Sequence, residues 1–189
     1  IITAHLIIAG LKKIGHPVVP VYIDKEGAWH INEKLNDLSF FTKKDSALES
    51  TNFNRIDLDV EQSKGKLALK QKGIMGQKFE IDCAWPAIHG AYGEDGTLQG
   101  LFEIFNVPYV GCGVATSAVA MDKILTKRFC QAYRIPTPKF VGFSKDQWKH
   151  HHKTITEQCA HLTWPVFVKP THLGSSIGIE KVHTVENLN

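Results

Sequence analysis

The chain has 189 residues, 43% hydrophobic and 22% charged, with 22 basic and 19 acidic side chains and a formal charge of +3. That length suffices for one ordinary core, or for one domain and part of another, in a folded soluble protein. The small charge excess, without a basic run beside aromatic residues, argues against nucleic acid. No apolar run reaches membrane-spanning length, and no signal peptide is expected.

Taken in order, "IITAHLIIAGLKKIG" predicts a helix over 1–14, with Leu6, Ile7, Gly10, Leu11 and Ile14 on one stripe. "PVVPVYI" (17–23) reads as an edge or short strand because of Pro20, and "DKEG" (24–27) as a turn. Residues 32–78 are polar and weakly patterned, an insertion or lid. Within them "GKLALK" (65–70) and the run at 78–81 pair as a hairpin through "QKGIMGQ". "FEIDCAWPAI" (79–88) predicts a strand. A helix over 97–106 follows, capped by Asp95 or Thr97, then a short strand at 107–111. A helical stretch over 113–133 breaks near Ala120 to Asp122. Strand–helix–strand–helix at this spacing predicts an α/β fold with a parallel-sheet amino-terminal domain and right-handed connections.

Texture changes near Pro136. "IPTPKFVGF" (135–143) ends in a predicted strand, and 144–162 in a helix opened by a Ser144–Gln147 capping box. "WPVFVKPTHLGSSIGIEKV" (164–182) reads as strand, Gly/Ser loop, strand, and Thr184 caps a last helical turn. The domain boundary falls between 112 and 123, dividing the chain into 1–118 and 119–189. The helical start without Met and the helix opening at the end make both termini look cut.

Lys169 closes the apolar strand "PVFVK", and Pro170 blocks continuation into a helix. The amides of Gly174, Ser175, Ser176 and Gly178 can converge on an anion, with a lysine within reach. The Walker order is absent, so an ordinary glycine hairpin stays the alternative. Lys123 is an adaptable phosphate partner, or a solvated helix lysine paired with Asp122. His89 stands at a strand's carboxyl end, where open α/β sheets place ligands; a hydrogen-bonded loop histidine is the alternative. Glu94 and Asp95 are adjacent and do not share a face, which excludes a proton-sharing dyad; one caps a helix and the other points inward. The "HHH" at 150–152 fans round a helix and cannot share one ion. Cys83, Cys112, Cys130 and Cys159 form no CxxC pair and read as reduced thiols of a cytosolic protein.

Two segments carry a family resemblance. "HGAYGEDGTLQGLFEIFNVPYVGCGVATSAVAMDK" closely resembles the D-alanine–D-alanine ligases, and "PVFVKPTHLGSSIGIEKV" looks like their phosphate-binding region, in family order and spacing. The resemblance implies that the parallel-sheet domain, with 32–78 as a variable insertion, is followed by the first part of an ATP-grasp α+β domain. It implies ATP- and Mg²⁺-dependent joining of two D-alanines through an acyl phosphate, for peptidoglycan precursors. Lys123, Lys169, Gly174, Ser175, Ser176 and Gly178 would bind ATP phosphates. His89, Glu94 and Ser175 would form the catalytic set: His89 and Ser175 around the first D-alanine, Glu94 orienting the region, and the Ser176 amide facing the transferring phosphate. Ala91 departs from the proline common in relatives. The resemblance further implies a homodimer in the bacterial cytoplasm, with no nucleic acid or membrane partner. Mg²⁺ ligands and adenine contacts are expected beyond Asn189, so these 189 residues alone are expected to be inactive. A D-lactate variant, a glutathione-synthetase type and a non-catalytic ATP-binding relic or scaffold of the ATP-grasp type are the alternatives.

Overall fold

The computed structural model describes residues 1–42, 54–73 and 76–188. They fall into two units, Ile1–His89 with Thr97–Cys112, and Gly90–Gly96 with Gly113–Asn189.

In the first unit, helix α1 (Ile2–Lys13) precedes strands β1 (Val21–Ile23), β2 (Trp29–Ile31), β3 (Asn54–Leu58), β4 (Leu67–Gln71) and β5 (Lys78–Ile81). A 3₁₀ turn and a short helix α2 (Leu38–Thr42) lie between β2 and β3, and helix α3 (Thr97–Ile104) completes the unit. The strands form one sheet in the order β1-β2-β3-β4-β5, and each neighbouring pair is antiparallel. This corrects the parallel sheet expected from the sequence. The reason is chain geometry: residues 24–28 and 59–66 join successive strands without a helix. Antiparallel neighbours need only such turns, whereas parallel ones need a crossover of about a dozen residues or more.

The expected strand–helix–strand unit around α3 reduces to one isolated parallel bridge, Ala84 to Tyr109, among the described residues. The Ala84 N–H donates to Pro108 O at 2.8 Å, and the Val110 N–H to Ala84 O at 2.9 Å. Pro86 and Pro108 lack amide donors, which limits this ladder. The strand expected over 79–88 stops at Ile81, which pairs with the first residue of β4, Leu67, before a bend at 82–83.

Turn chemistry sets the sheet's register. Asp24 Oδ1 accepts the Ala28 N–H at 2.7 Å, and Oδ2 pairs with His30 Nε2 at 2.7 Å, closing the β1–β2 hairpin. The His30 hydrogen bond is the main reason the Asp24 carboxyl lies below the usual carboxylate range. Buried Ser63 donates to Asp59 O at 2.7 Å and accepts the Ala68 N–H at 3.0 Å, so the β3–β4 turn leaves its hydroxyl satisfied. The hairpin expected between 65–70 and 78–81 forms, with Leu67 opposite Ile81 and Leu69 opposite Phe79. Residues 43–53 of the polar stretch, and 74–75 of the hairpin connection, lie outside the described residues.

The first core gathers Ile31, Ile56, Leu67, Leu69, Ala84, Phe102 and Val107. Three of these come from β3 and β4, within the stretch read from sequence as an insertion. The α1 stripe is split: Ile7 and Leu11 are half-buried, while Leu6 and Ile14 are 70% and 69% exposed.

The second unit holds helices α4 (Val114–Met121), α5 (Lys123–Ala132) and α6 (Lys145–Ala160), and strands β6 (Val166–Val168) and β7 (Glu180–Val182). The break between α4 and α5 falls at extended Asp122. Both halves of the Ser144–Gln147 capping box open α6. Its Ile155 and Cys159 meet Val182 and Leu188 in a second core, with Phe143 stacked on Trp148. No strand forms over 135–143, because Pro136 and Pro138 lack donors; Lys127 instead donates to Thr137 Oγ1 and Pro138 O, both at 3.2 Å. β6 and β7 pair antiparallel, with Val168 opposite Glu180.

Leu69 is 1% exposed at the sheet's centre. Leu69→Ala is expected to cost about 2–5 kcal/mol of stability in chemical denaturation. A loss below about 1 kcal/mol would contradict its central packing.

Candidate phosphate loop and amino-acid loop

The chain leaves β6 through Lys169 and returns in β7 at Glu180, so residues 169–179 must reverse direction. Ser175 and Ser176 both take left-handed backbone angles, φ 50° and 61°, and Gly178 follows at φ 68°. A left-handed non-glycine residue costs about 1–2 kcal/mol, and two in succession persist only where the surroundings impose them. Gly178 is required twice over, since a Cβ there would lie 2.8 Å from Pro170 Cγ. The Ile177 N–H donates to Gly174 O at 3.0 Å, and the Ile179 N–H to Ser176 O at 3.3 Å. Among the described residues, the amides of Ser175, Ser176 and Gly178 have no partner within the protein. Successive unsatisfied amides in this geometry make an anion-binding concavity.

Both sequence-predicted lysines meet this loop. Lys169 starts it, exposed, with Nζ 5.8 Å from the Phe167 ring centroid. Lys123 is brought to it from α5: its N–H donates to Thr171 O at 3.2 Å, and its Nζ donates to Leu173 O at 2.6 Å and to Thr171 O at 3.3 Å. Lys123 is thus not the solvated partner of Asp122.

Asp122 has its own work. Oδ1 accepts the Ile124 and Leu125 amides at 2.8 and 2.9 Å, capping α5, and Oδ2 lies 3.2 Å from His172 Nε2. The Leu125 amide is the largest cause of its lowered pKa, with the Ile124 amide and His172 adding to it against some burial.

His89 and Glu94 stand in different units. Exposed His89 has Nε2 3.3 Å from Thr3 Oγ1 of α1. In the 90–96 loop, Glu94 Oε2 accepts the Gly90 N–H at 2.6 Å and Asp95 Oδ2 accepts the Tyr92 N–H at 2.8 Å, so both acids shape the loop's own backbone. Gly96, at φ 92°, has Val114 O so near that a Cβ would sit 2.7 Å from it.

Sequence reasoning missed Asp122 as a cap, His172 and Thr3. An aspartate directly before "KILTK", after a helix break, is itself a cap signal. His172 and Thr3 carry no local signal. Among the described residues, no group of three or more His, Cys, Asp or Glu could hold a metal ion, and no helix is long and apolar enough to cross a membrane.

Because Asp122's value is lowered in the fold, its stabilisation is full above the ordinary carboxylate range and fades as pH falls through its own value. Asp122→Ala is expected to cost about 1 kcal/mol near pH 7, with the deficit shrinking below about pH 4. An unchanged deficit in acid would contradict this.

Residues 1–112 match the family described as D-ala D-ala ligase N-terminus, and residues 129–189 that described as D-ala D-ala ligase C-terminus. The D-alanine–D-alanine ligase of Treponema pallidum is 38% identical over 178 residues, covering 89% of this chain and 42% of that protein. Among solved structures, the D-alanine–D-alanine ligase from Coxiella burnetii is similar at 29% identity and a TM-score of 0.77, over 98% of this chain and 52% of that one. The VanG D-Ala:D-Ser ligase from Enterococcus faecalis is similar at 29% and 0.76, over 98% and 51%. The chain spans about half the length of these relatives. By these matches along both units, the chain belongs to the D-alanine–D-alanine ligase family.

Proposed function

We propose that this chain contributes the phosphate loop and the first amino-acid loop of an ATP-dependent ligase that joins two D-alanines. The observation that carries this reading is the run of unpartnered amides at Ser175, Ser176 and Gly178, in a loop that Lys169 opens and on which the Lys123 ammonium rests through Leu173 O. Fixed donors and cations there fit phosphate oxygens without reorganisation at the moment of reaction.

In this reading Lys123, Lys169, Gly174 and Gly178 hold the ATP phosphates. The Ser176 amide faces the phosphoryl group in transfer, and the Ser175 hydroxyl belongs to the network around the first D-alanine. His89 contacts that amino acid, and Glu94 positions its loop through Gly90. The first D-alanine's carboxylate oxygen bonds to the γ-phosphorus as the bond to ADP breaks. The second D-alanine's amine attacks the acyl carbon and loses a proton. The tetrahedral intermediate expels phosphate and leaves the peptide bond. A carboxylate alone is a poor acyl donor, so phosphorylation supplies the leaving group. Mg²⁺ would neutralise phosphate charge; no ligand for it is assigned among the described residues. Four free cysteines and the family's biosynthetic role support a cytoplasmic setting. Exposed Ile2 and Leu6 on α1, with Ile14 at its C-terminal cap, support a homodimer.

The test is phosphate release from Mg-ATP by the complete natural polypeptide, with D-alanine alone and with D-serine or D-lactate as second substrate. D-alanine-dependent release is expected. ATP binding without it would favour the non-catalytic reading instead. Lys169→Ala is expected to lower kcat/KM for ATP by about a hundred-fold while changing stability by less than about 0.5 kcal/mol. Ser175→Ala is expected to raise the D-alanine KM by about ten-fold with nucleotide affinity little changed. Collapse of nucleotide binding in Ser175→Ala would contradict this division of labour.

A further inference from the structure

Two successive residues at the start of α5 grip three successive residues of the phosphate loop. The Lys123 N–H and Nζ take Thr171 O, Asp122 Oδ2 takes the His172 ring, and Lys123 Nζ takes Leu173 O. The loop has little else to hold it, because residues 172–178 are exposed and the β6–β7 ladder spans only three pairs. Yet the segment just beyond these contacts keeps two left-handed serines, which need outside restraint. The ammonium carries three N–H donors, of which two are used on loop carbonyls, leaving one for an anion.

We infer that Asp122 and Lys123 clamp the phosphate loop through residues 171–173, with His172 as a positioning residue, so that the lysine presented to the nucleotide also sets the loop's shape. The clamp itself stands on the geometry; its effect on ATP use rests on the function proposed above. Asp122 links the two roles, since one carboxylate oxygen fixes the start of α5 and the other holds the loop. A lysine bound only to phosphate would leave the loop unaffected when removed. A clamping lysine loosens it even without nucleotide.

The Lys123 amide reports the clamp directly, because its acceptor is Thr171 O, and the Ile177 and Ile179 amides report the turn beyond. Amide hydrogen exchange in the nucleotide-free, complete natural polypeptide is the test. His172→Ala is expected to speed exchange at these sites by about two- to five-fold, the range of an exposed ion pair. Lys123→Met is expected to speed it by about ten-fold or more, as for lost hydrogen bonds from a charged donor. His172→Gln, which keeps an N–H for Asp122, is expected to restore protection. Unchanged exchange in both His172→Ala and Lys123→Met would overturn the clamp. With ATP, His172→Ala is expected to raise KM by about the same two- to five-fold factor, again rescued by His172→Gln. An unmoved KM alongside a loosened loop would overturn the positioning role. A wild-type protein that binds no nucleotide would sink the proposed function, and the exchange result would still judge the clamp.

Discussion

The paired left-handed serines are the constraint on which the shape of the β6–β7 loop depends. Ser175 and Ser176 cost the chain roughly 2–4 kcal/mol together, and the turn between β6 and β7 cannot supply that alone. The restraint comes from both ends of the loop. Gly178 packs against Pro170 with no room for a side chain, and α5 holds residues 171–173. The result is a set of amides with no protein partner, an arrangement that folding disfavours and anion binding rewards.

The first unit solves a different problem. Its sheet is joined by turns built from Asp24 and Ser63, each of which satisfies backbone groups at a strand end. From the end of that sheet the chain reaches the Ala84 bridge and then His89, whose ring meets Thr3 of α1. The neighbouring loop, 90–96, is shaped by its own acids, which explains why Glu94 and Asp95 sit side by side: each carboxylate takes an amide four or three residues back.

Several local signals survived translation into structure, although the strand expected within 135–143 did not form. The capping box at Ser144, the helix break before Lys123 and the 65–81 hairpin are all encoded within a few residues. The family resemblance likewise lies in contiguous motifs and is matched along most of the chain. Strand direction was misread because alternation of strand and helix along 79–113 imitates a parallel unit, while β3, which joins β2 to β4, lies in a polar stretch with weak patterning. The contacts that bring Lys123 to the loop after β6 and Thr3 to His89 span 48 to 86 residues. No periodicity announces them, so His172 and Thr3 were invisible until the chain was folded.

The most direct test of the phosphate loop is a nuclear magnetic resonance titration of the complete natural polypeptide with Mg-ADP. The account predicts that the amides of Ser175, Ser176 and Gly178 shift most, and that the Lys123 amide shifts with them because it shares the loop's clamp. Binding that leaves these four amides unmoved while shifting others would contradict the assignment of this loop to the nucleotide.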